Sequence, residues 1–424
     1  MSLMPKLADL VDARRAPLKD LLAGFTVAIV ALPLALAFGV ASGLGAEAGL
    51  TTAIIAGAIA AIFGGSRLQV SGPTGAMTVV LVPIFHDFGA TGVLLVGLMA
   101  GALLVIVALA KVGEHVHRLP TSLVEGFTAG IAVVITLQQF PNILGVAPNK
   151  AEKVWQFAWA AISDALQNWS WQPVLVAASV ATLILVGSHY WHKIPFALIS
   201  VVCVTLLANW LQLDLTRIGS IPAEIGRFDF GFLNQAAWLQ LIPSAIAVAA
   251  LAALESLLSA KVADKMRGGG EKHDANRELF GQGLANLVVP FFGGVPATAA
   301  LARTAVNVRA NAQSKMAALY HAFILAVVVL LLAGLVGQIP LAALAGVLIA
   351  TTAHMVKPRE LLQTAKTSRL DAIVLLATLF ATIFVDLITA VVLGLVLSLL
   401  LRKTRLSKLS RRYPVIDETE TLGD

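Results

Sequence analysis

Two short segments decide the fold: Ser71-Gly72-Pro73-Thr74-Gly75-Ala76 and, in the second half of the chain, Val295-Pro296-Ala297-Thr298-Ala299-Ala300. Each follows a Phe-Gly-Gly triplet, at 63–65 and 292–294, and each lies inside an apolar stretch. Glycine and proline at these positions predict that a membrane helix is interrupted there. A break within hydrocarbon survives only where it lines a cavity or binds something, and paired breaks in two halves of a chain indicate a transporter's substrate site.

The composition indicates a multi-pass integral membrane protein. Of 424 residues, 58% are hydrophobic and only 13% are charged, and the mean hydropathy is +0.86. Soluble proteins carry about 25% charged residues. Apolar runs of roughly 17 to 25 residues recur along the chain, which predicts about fourteen spans. The basic segment 1–19 lacks the cleavage site of a secretory signal, so the first span is expected to be retained.

Motifs of other function classes are missing from the sequence. The single cysteine, Cys203, excludes an internal disulfide and lies in an apolar run. The histidines cluster in predicted cytoplasmic loops, without metal-ligand spacing inside the membrane. Neither a nucleophile elbow nor a phosphate loop is present. We therefore expect no enzyme, no cofactor and no metal.

The placement of lysine and arginine predicts the orientation in the membrane. Basic residues concentrate in alternate loops and in the stretch from Arg402 to Arg412, and the positive-inside rule assigns these to the cytoplasm. An even number of spans then places both termini in the cytoplasm, and we expect a bacterial inner membrane. The net charge of +6 has the same origin, so a nucleic-acid partner is not expected.

Several ordered motifs between residues 18 and about 405 resemble those of the SulP anion transporters, also called solute carrier family 26. The motifs are Asp20-Leu21-Leu22-Ala23-Gly24, Gly72-Pro73-Thr74-Gly75, Glu255-Ser256-Leu257-Leu258-Ser259, Asn276-Arg277-Glu278-Leu279 with Gly281-Gln282-Gly283, and Ala302-Arg303-Thr304-Ala305-Val306-Asn307. The resemblance implies an all-α membrane fold of about fourteen spans in two inverted seven-span repeats. Spans three and ten, predicted at 71–86 and 297–310, would each be a short strand followed by a half helix.

The resemblance also implies a division into domains. A core domain that holds the substrate would comprise 20–111 and 238–338, and a gate domain 120–212 and 339–402. Family members usually continue into a cytoplasmic STAS domain, so we expect 403–424 to be a tail leading to a STAS domain that this sequence lacks through truncation. The expected assembly is a homodimer in the lipid bilayer, with the STAS domain contributing to its contact.

The predicted anion site lies where the two half helices begin. Each helix N-terminus offers unpaired N–H groups and about half a unit of positive charge. The lining residues are Thr74, Gly75, Ala76, Ala299, Ala300, Leu301, Ala302 and Thr304, with Ser256 beside them and Leu34 and Phe38 as an apolar wall. The alternatives are that Pro73 and Pro296 merely begin ordinary helices and that Phe38 is core packing.

Two ionisable residues lie within predicted spans. A charge at the bilayer centre costs roughly 2.5 to 3.5 kcal/mol, so Arg303 should face a cavity and is the candidate anion contact. The alternative is a structural ion pair with Glu255. Glu255, surrounded by alanine and leucine, is the candidate proton carrier. Sodium-coupled bicarbonate relatives tend to lack an arginine at the position of Arg303, which disfavours sodium here.

These features together predict secondary active transport of a small anion, with the core moving against the gate and a proton travelling with the substrate. The substrate classes are dicarboxylate, sulfate and bicarbonate. The alternatives are a sodium-coupled bicarbonate symporter and an anion exchanger or channel-like chloride pathway. A nucleobase carrier is disfavoured, because such relatives have an acidic residue in place of Arg303.

Overall fold

The computed structural model describes residues 3–5, 16–113, 120–147, 153–168, 170–191, 194–268, 272–385, 389–390, 392–394 and 396–398. The predicted tail at 403–424 and most of the predicted N-terminal segment 1–19 lie outside the described residues. The described residues are mostly helical. In chain order the helices are α1 (Pro17–Ala41), α2 (Ala46–Thr51), α3 (Gly57–Phe63), α4 (Gly75–Leu109), α5 (Thr121–Gln138), α6 (Phe140–Leu144), α7 (Val154–Gln167), α8 (Trp171–Tyr190), α9 (Phe196–Trp210), α10 (Trp238–Met266), α11 (Ala275–Val288), α12 (Leu301–Arg309), α13 (Met316–Val336), α14 (Leu341–Met355), α15 (Pro358–Thr367) and α16 (Arg369–Phe384).

The first break has the predicted form. A π-helical turn, Thr52–Ala56, joins α2 to α3, which ends at Phe63 where the backbone of Gly64 becomes extended. Strand β1 (Ser71–Gly72) follows, and α4 begins at Gly75 with Thr74 as its N-cap. Helix α4 has 35 residues. A straight helix of that length would measure about 52 Å, well beyond the roughly 30 Å hydrocarbon core.

A glycine divides α4 into two passes. Gly89 has φ 65° and ψ −168°, which is not helical, so the chain turns there. The half helix that follows β1 therefore occupies 75–88, and a second pass starts after it. This agrees with the predicted third span at 71–86.

The second break repeats the same order of elements. After α11, a 3-10 turn at Val289–Phe292 ends in Gly293, whose φ of 74° favours glycine. Strand β2 (Thr298–Ala299) follows, and α12 begins at Leu301. β1 and β2 pair antiparallel, with Ser71 opposite Ala299 and Gly72 opposite Thr298. The prediction of two strand-plus-half-helix segments is confirmed, and their antiparallel meeting is what an inverted repeat requires.

The long apolar helices make this a multi-pass membrane protein. Within the described residues, eight helical segments are long and apolar enough to cross a bilayer, and the shorter α9 is also apolar. A half helix is too short to be counted as a span by its length. The prediction of about fourteen membrane spans therefore stays a prediction. By chain contacts the protein divides into two compact units, one formed by 1–118 and 132–354 and the other by 119–131 and 355–424.

Polar residues of the sequence motifs hold the broken segments in place. The Glu278 carboxylate accepts hydrogen bonds from the backbone N–H groups of Gly65 (2.9 Å) and Ser66 (3.0 Å), just after the first Phe-Gly-Gly triplet. The Gln282 amide donates to Glu278 Oε1 at 3.0 Å and to Ser71 Oγ in β1 at 2.6 Å. Helix α11 thereby fixes the position of the first break.

The second break and the first helix have anchors of the same kind. The Asn286 amide donates to the Ala297 carbonyl (2.8 Å) and accepts from the Ala297 N–H (2.7 Å), directly before β2. Asp20, fully buried on α1, accepts from the N–H groups of Gln313 (2.6 Å) and Ser314 (3.1 Å) and from Ser314 Oγ (2.6 Å). These bonds satisfy buried backbone donors that have no helical partner.

Candidate anion site

The N-terminus of α4 offers backbone donors at the first break. Thr74 Oγ1 accepts from the Met77 N–H at 3.4 Å, as an N-cap residue does. The N–H groups of Gly75 and Ala76 precede the first intrahelical bond of α4 and have no partner within that helix. Both residues are buried. A methyl group at Gly75 would approach the Phe38 ring at 3.1 Å, so the structure brings Phe38 beside the break, and Leu34 is buried one turn earlier on α1.

The residues of the second break divide into two groups. The N–H of Ala299 donates to Ser256 Oγ on α10 (3.3 Å), and that of Ala300 donates to the Val70 carbonyl before β1 (3.0 Å), so neither donor is free for an anion. Leu301 and Ala302, in the first turn of α12, are exposed. Their N–H groups lie in the first turn of a helix whose N-cap residue, Ala300, has no side-chain acceptor.

Glu255, half-buried on α10, contacts both breaks. Its Oε2 accepts from Thr74 Oγ1 at 2.9 Å. Thr298 of β2 lies beside the carboxylate, and its hydroxyl donates to the Ala252 carbonyl at 3.3 Å. Ser256 Oγ lies 3.0 Å from Thr298 Oγ1. The carboxylate is therefore connected to the residue that caps α4 and to the strand that leads into α12.

Arg303 extends from α12 across β1. Its side chain is 1% exposed, and Nη2 donates to the Pro73 carbonyl. The guanidinium lies on the backbone of Gly72, where an added Cβ would collide with Nη1 and would lie 3.2 Å from Cζ. Glycine at position 72 thus makes room for the arginine.

The predicted ion pair between Arg303 and Glu255 is not formed in the described part of the chain. Glu255 accepts from the Thr74 hydroxyl, and Arg303 donates to the Pro73 carbonyl. Thr304 Oγ1 is also occupied, since it accepts from the Val70 N–H (3.1 Å) and from Ser259 Oγ (3.0 Å). Thr304 is a buried link between α12, α10 and β1.

Sequence reasoning did not select two residues that the structure brings to this site. Thr298 lies within the second break, at 295–300, and its hydroxyl in that apolar segment could have indicated a role at the site. His321, on α13, is fully buried, one turn after Ala318, which packs against Val70 directly before β1. Its signal was a histidine within the apolar run of α13. Among the described residues, no group of three or more His, Cys, Asp or Glu side chains is arranged to hold a metal ion.

Comparison with known proteins shows the family of this chain. The family described as the sulfate permease family matches residues 18–378. The chain is 38% identical to the putative sulfate transporter YvdB of Bacillus subtilis over 85% of this chain and 68% of that protein. It is 34% identical to the bicarbonate transporter BicA of a Picosynechococcus strain over 77% of this chain and 60% of that protein. The matched stretch thus spans about two thirds or less of these relatives.

Solved structures share the fold. The transmembrane domain of a cyanobacterium bicarbonate transporter BicA matches with a TM-score of 0.81 and 32% identity, covering 89% of this chain and 98% of that one. The structure of SLC26A9 matches with a TM-score of 0.83 over 93% of this chain and 67% of that one. The sequence identity is 16%, so this match shows similarity of the fold alone.

Proposed function

This chain belongs to the sulfate permease family, and we propose that it transports a small anion of the sulfate, bicarbonate or dicarboxylate class across the membrane. The observation that carries the proposal is the antiparallel pairing of Ser71 with Ala299, from which α4 and α12 leave in opposite directions. The positive ends of two half helices thus start on either side of one strand pair. Relatives named sulfate and bicarbonate transporters, at 38% and 34% identity, support the substrate class.

The charges around the strand pair favour an anion. Each half-helix N-terminus contributes about half a positive charge, and Arg303 contributes one more from behind β1. An ionised Glu255 removes one unit of this positive charge. Protonation of Glu255 restores it, so proton uptake strengthens anion binding. This coupling is our rationale for proton symport through Glu255.

Transport requires that the site open alternately to each side of the membrane. We propose that the core, at 20–111 and 238–338, moves against the gate, at 120–212 and 339–402. The core segments include both breaks, α10 with Glu255, and the anchoring residues Asp20 and Glu278. We place both termini in the cytoplasm on the basis of the charge distribution. From the resemblance to the family we propose a homodimer, and we place it in a bacterial inner membrane.

Reconstitution into liposomes tests the proposal. Purified protein is incorporated into vesicles, and uptake of radiolabelled sulfate, bicarbonate, succinate and chloride is measured with an imposed proton gradient, a sodium gradient or neither. We expect uptake of one of the first three anions, stimulated by inward-directed protons. Stimulation by the sodium gradient alone would show that transport is coupled to sodium and would contradict proton symport. Rapid chloride flux that needs no gradient would support a channel-like pathway, and uptake of none of these anions would refute anion transport.

Arg303→Ala tests the site itself. Loss of the buried cation should reduce anion uptake to background, whereas Arg309→Ala, on the exposed end of the same helix, should leave uptake near the original rate. A single symmetric peak in size-exclusion chromatography shows that each variant is folded. Full activity of a folded Arg303→Ala protein would remove Arg303 from the site.

Glu255→Gln tests the coupling. The amide oxygen can still accept from Thr74 Oγ1, but the side chain no longer exchanges a proton. Uptake should persist or fall while losing its stimulation by the proton gradient. Glu360→Gln, at an exposed position on α15, is the control. Undiminished stimulation in Glu255→Gln would exclude Glu255 as the proton carrier.

A further inference from the structure

His321 is a buried histidine without a hydrogen-bond partner. Its side chain is 0% exposed, and neither Nδ1 nor Nε2 has a partner among the described residues. One turn earlier on α13, Ala318 packs in an apolar cluster with Val27, Ala31 and Val70. Burying a polar ring without a hydrogen-bond partner in apolar surroundings is unfavourable, so the imidazole requires a specific explanation.

A second unpaired group lies close to this imidazole. Arg303 Nη2 donates to the Pro73 carbonyl, but Nη1 is buried without a partner among the described residues. Val70, which packs against Ala318 one turn before His321, directly precedes β1, and the guanidinium lies on Gly72 of that strand. Nη1 can only donate, and a neutral imidazole has one nitrogen that can only accept. The two groups are therefore complementary.

The surroundings favour a neutral imidazole. Helix α13 packs against α1, the π-helical turn and α3, and neither the turn nor α3 contains an ionisable residue. On α1 the Asp20 carboxylate is held by Gln313 and Ser314, at the start of α13 and two turns from His321. The other ionisable residues on α1, α12 and α13 or at their ends are Lys19, Arg303, Arg309, Lys315 and Tyr320. The positive charge of Arg303 disfavours a second positive charge on the imidazole, and none of these helices places a free carboxylate beside it. The His321 ring is therefore neutral.

We propose that His321 is a positioning residue for Arg303, and that its neutral imidazole accepts a hydrogen bond from Arg303 Nη1 through one bridging water molecule. Pro73 holds one arm of the guanidinium and His321 holds the other. Held in this way, Arg303 stays behind β1 and does not swing to Glu255. Its charge then remains available to the anion, and Glu255 remains free to exchange a proton. The effects on uptake expected from this role rest on the anion transport proposed above.

His321→Leu, His321→Gln and His321→Asn test the proposal in liposomes. Loss of an acceptor for a charged donor should raise the KM for the transported anion about tenfold in His321→Leu, with a smaller change in maximal rate. A side-chain amide retains an acceptor oxygen, so His321→Gln or His321→Asn should restore much of the affinity. Phe323→Leu, at a 64% exposed position on the same helix, is the control.

The pH profile separates positioning from packing. If Arg303 pairs with Glu255 in His321→Leu, uptake should become half-maximal at a lower pH, because a carboxylate beside a guanidinium holds its charge more strongly. A defect in packing alone would leave that midpoint unchanged. An unchanged KM and midpoint in His321→Leu, or failure of both amide variants to improve on leucine, would overturn the proposal.

A structural measurement keeps the proposal testable without transport. Cryo-electron microscopy of the His321→Leu protein in nanodiscs should show the guanidinium of Arg303 displaced toward Glu255, whereas the original protein should show it on Pro73. An Arg303 that stays in place in the variant refutes positioning by His321. Absence of uptake by the original protein refutes the proposed function, and the structural comparison decides on His321 separately.

Discussion

Gly72→Ala should disrupt the site through a single methyl group. Gly72 has φ +157°, a conformation that residues with a side chain rarely adopt. The new Cβ would collide with Arg303 Nη1 and would lie 3.3 Å from Ala53 Cα, so it meets a guanidinium on one side and backbone on the other. Because Arg303 is 1% exposed, its guanidinium has little room to move aside.

The size of the effect follows from two contributions. Strained backbone at one residue costs roughly 1–3 kcal/mol. Displacement of Arg303 from the Pro73 carbonyl removes a hydrogen bond from a charged donor, worth roughly 1.5–3 kcal/mol. We expect a loss of about 2.5 to 6 kcal/mol in free energy of unfolding. In the protein that still folds, the KM for the anion should rise about tenfold or more.

Thermal unfolding in detergent and uptake in liposomes measure the two effects, and a double-mutant cycle connects them. In the Arg303→Ala background, Gly72→Ala should cost only the backbone strain, because the collision is gone. Gly334→Ala is the matched control, since a Cβ there meets nothing within 4 Å and alanine favours a helix. A Gly72→Ala protein with unchanged stability and KM, or an equal cost in both backgrounds, would refute the reasoning.

Two further substitutions test the anchors of the broken segments. Glu278→Ala leaves the N–H groups of Gly65 and Ser66 without their acceptor, and we expect a loss of about 2 to 4 kcal/mol in unfolding free energy, measured by thermal or denaturant unfolding. Asp20→Ala removes the acceptor for Ser314 Oγ and two N–H groups, with a similar expected loss. Glu360→Ala, at an exposed position, should change stability by less than about 0.5 kcal/mol in the same assay. Stability like that of the original protein in either anchor variant would contradict the assigned role.

Much of the fold could be predicted because hydropathy and backbone preference are local properties. The apolar runs predicted a multi-pass membrane protein, and the glycine and proline residues predicted breaks near residues 71 and 297. The structure begins β1 at Ser71 and β2 at Thr298, each followed by a half helix. The motif around Glu278 could be recognised but not explained, because its partners Gly65 and Ser66 lie more than 200 residues away in sequence.

The site was predicted less completely, since the direction of a side chain depends on what packs against it. Arg303 and Glu255 were both selected from the sequence, yet their partners were not foreseen: Pro73 for the arginine and Thr74 for the carboxylate. The N–H groups of Ala299 and Ala300 looked free in sequence but donate to Ser256 Oγ and to the Val70 carbonyl.

By itself, the sequence determined that this chain is membrane-embedded and helical and that it is interrupted twice at equivalent places, because these properties depend on the polarity and backbone freedom of neighbouring residues. The tertiary structure decided that the two interruptions meet as antiparallel strands and that Arg303 lies behind them across Gly72. Those arrangements join residues more than 200 positions apart. Only the packing of the two halves determines which N–H groups and charges remain available to an anion.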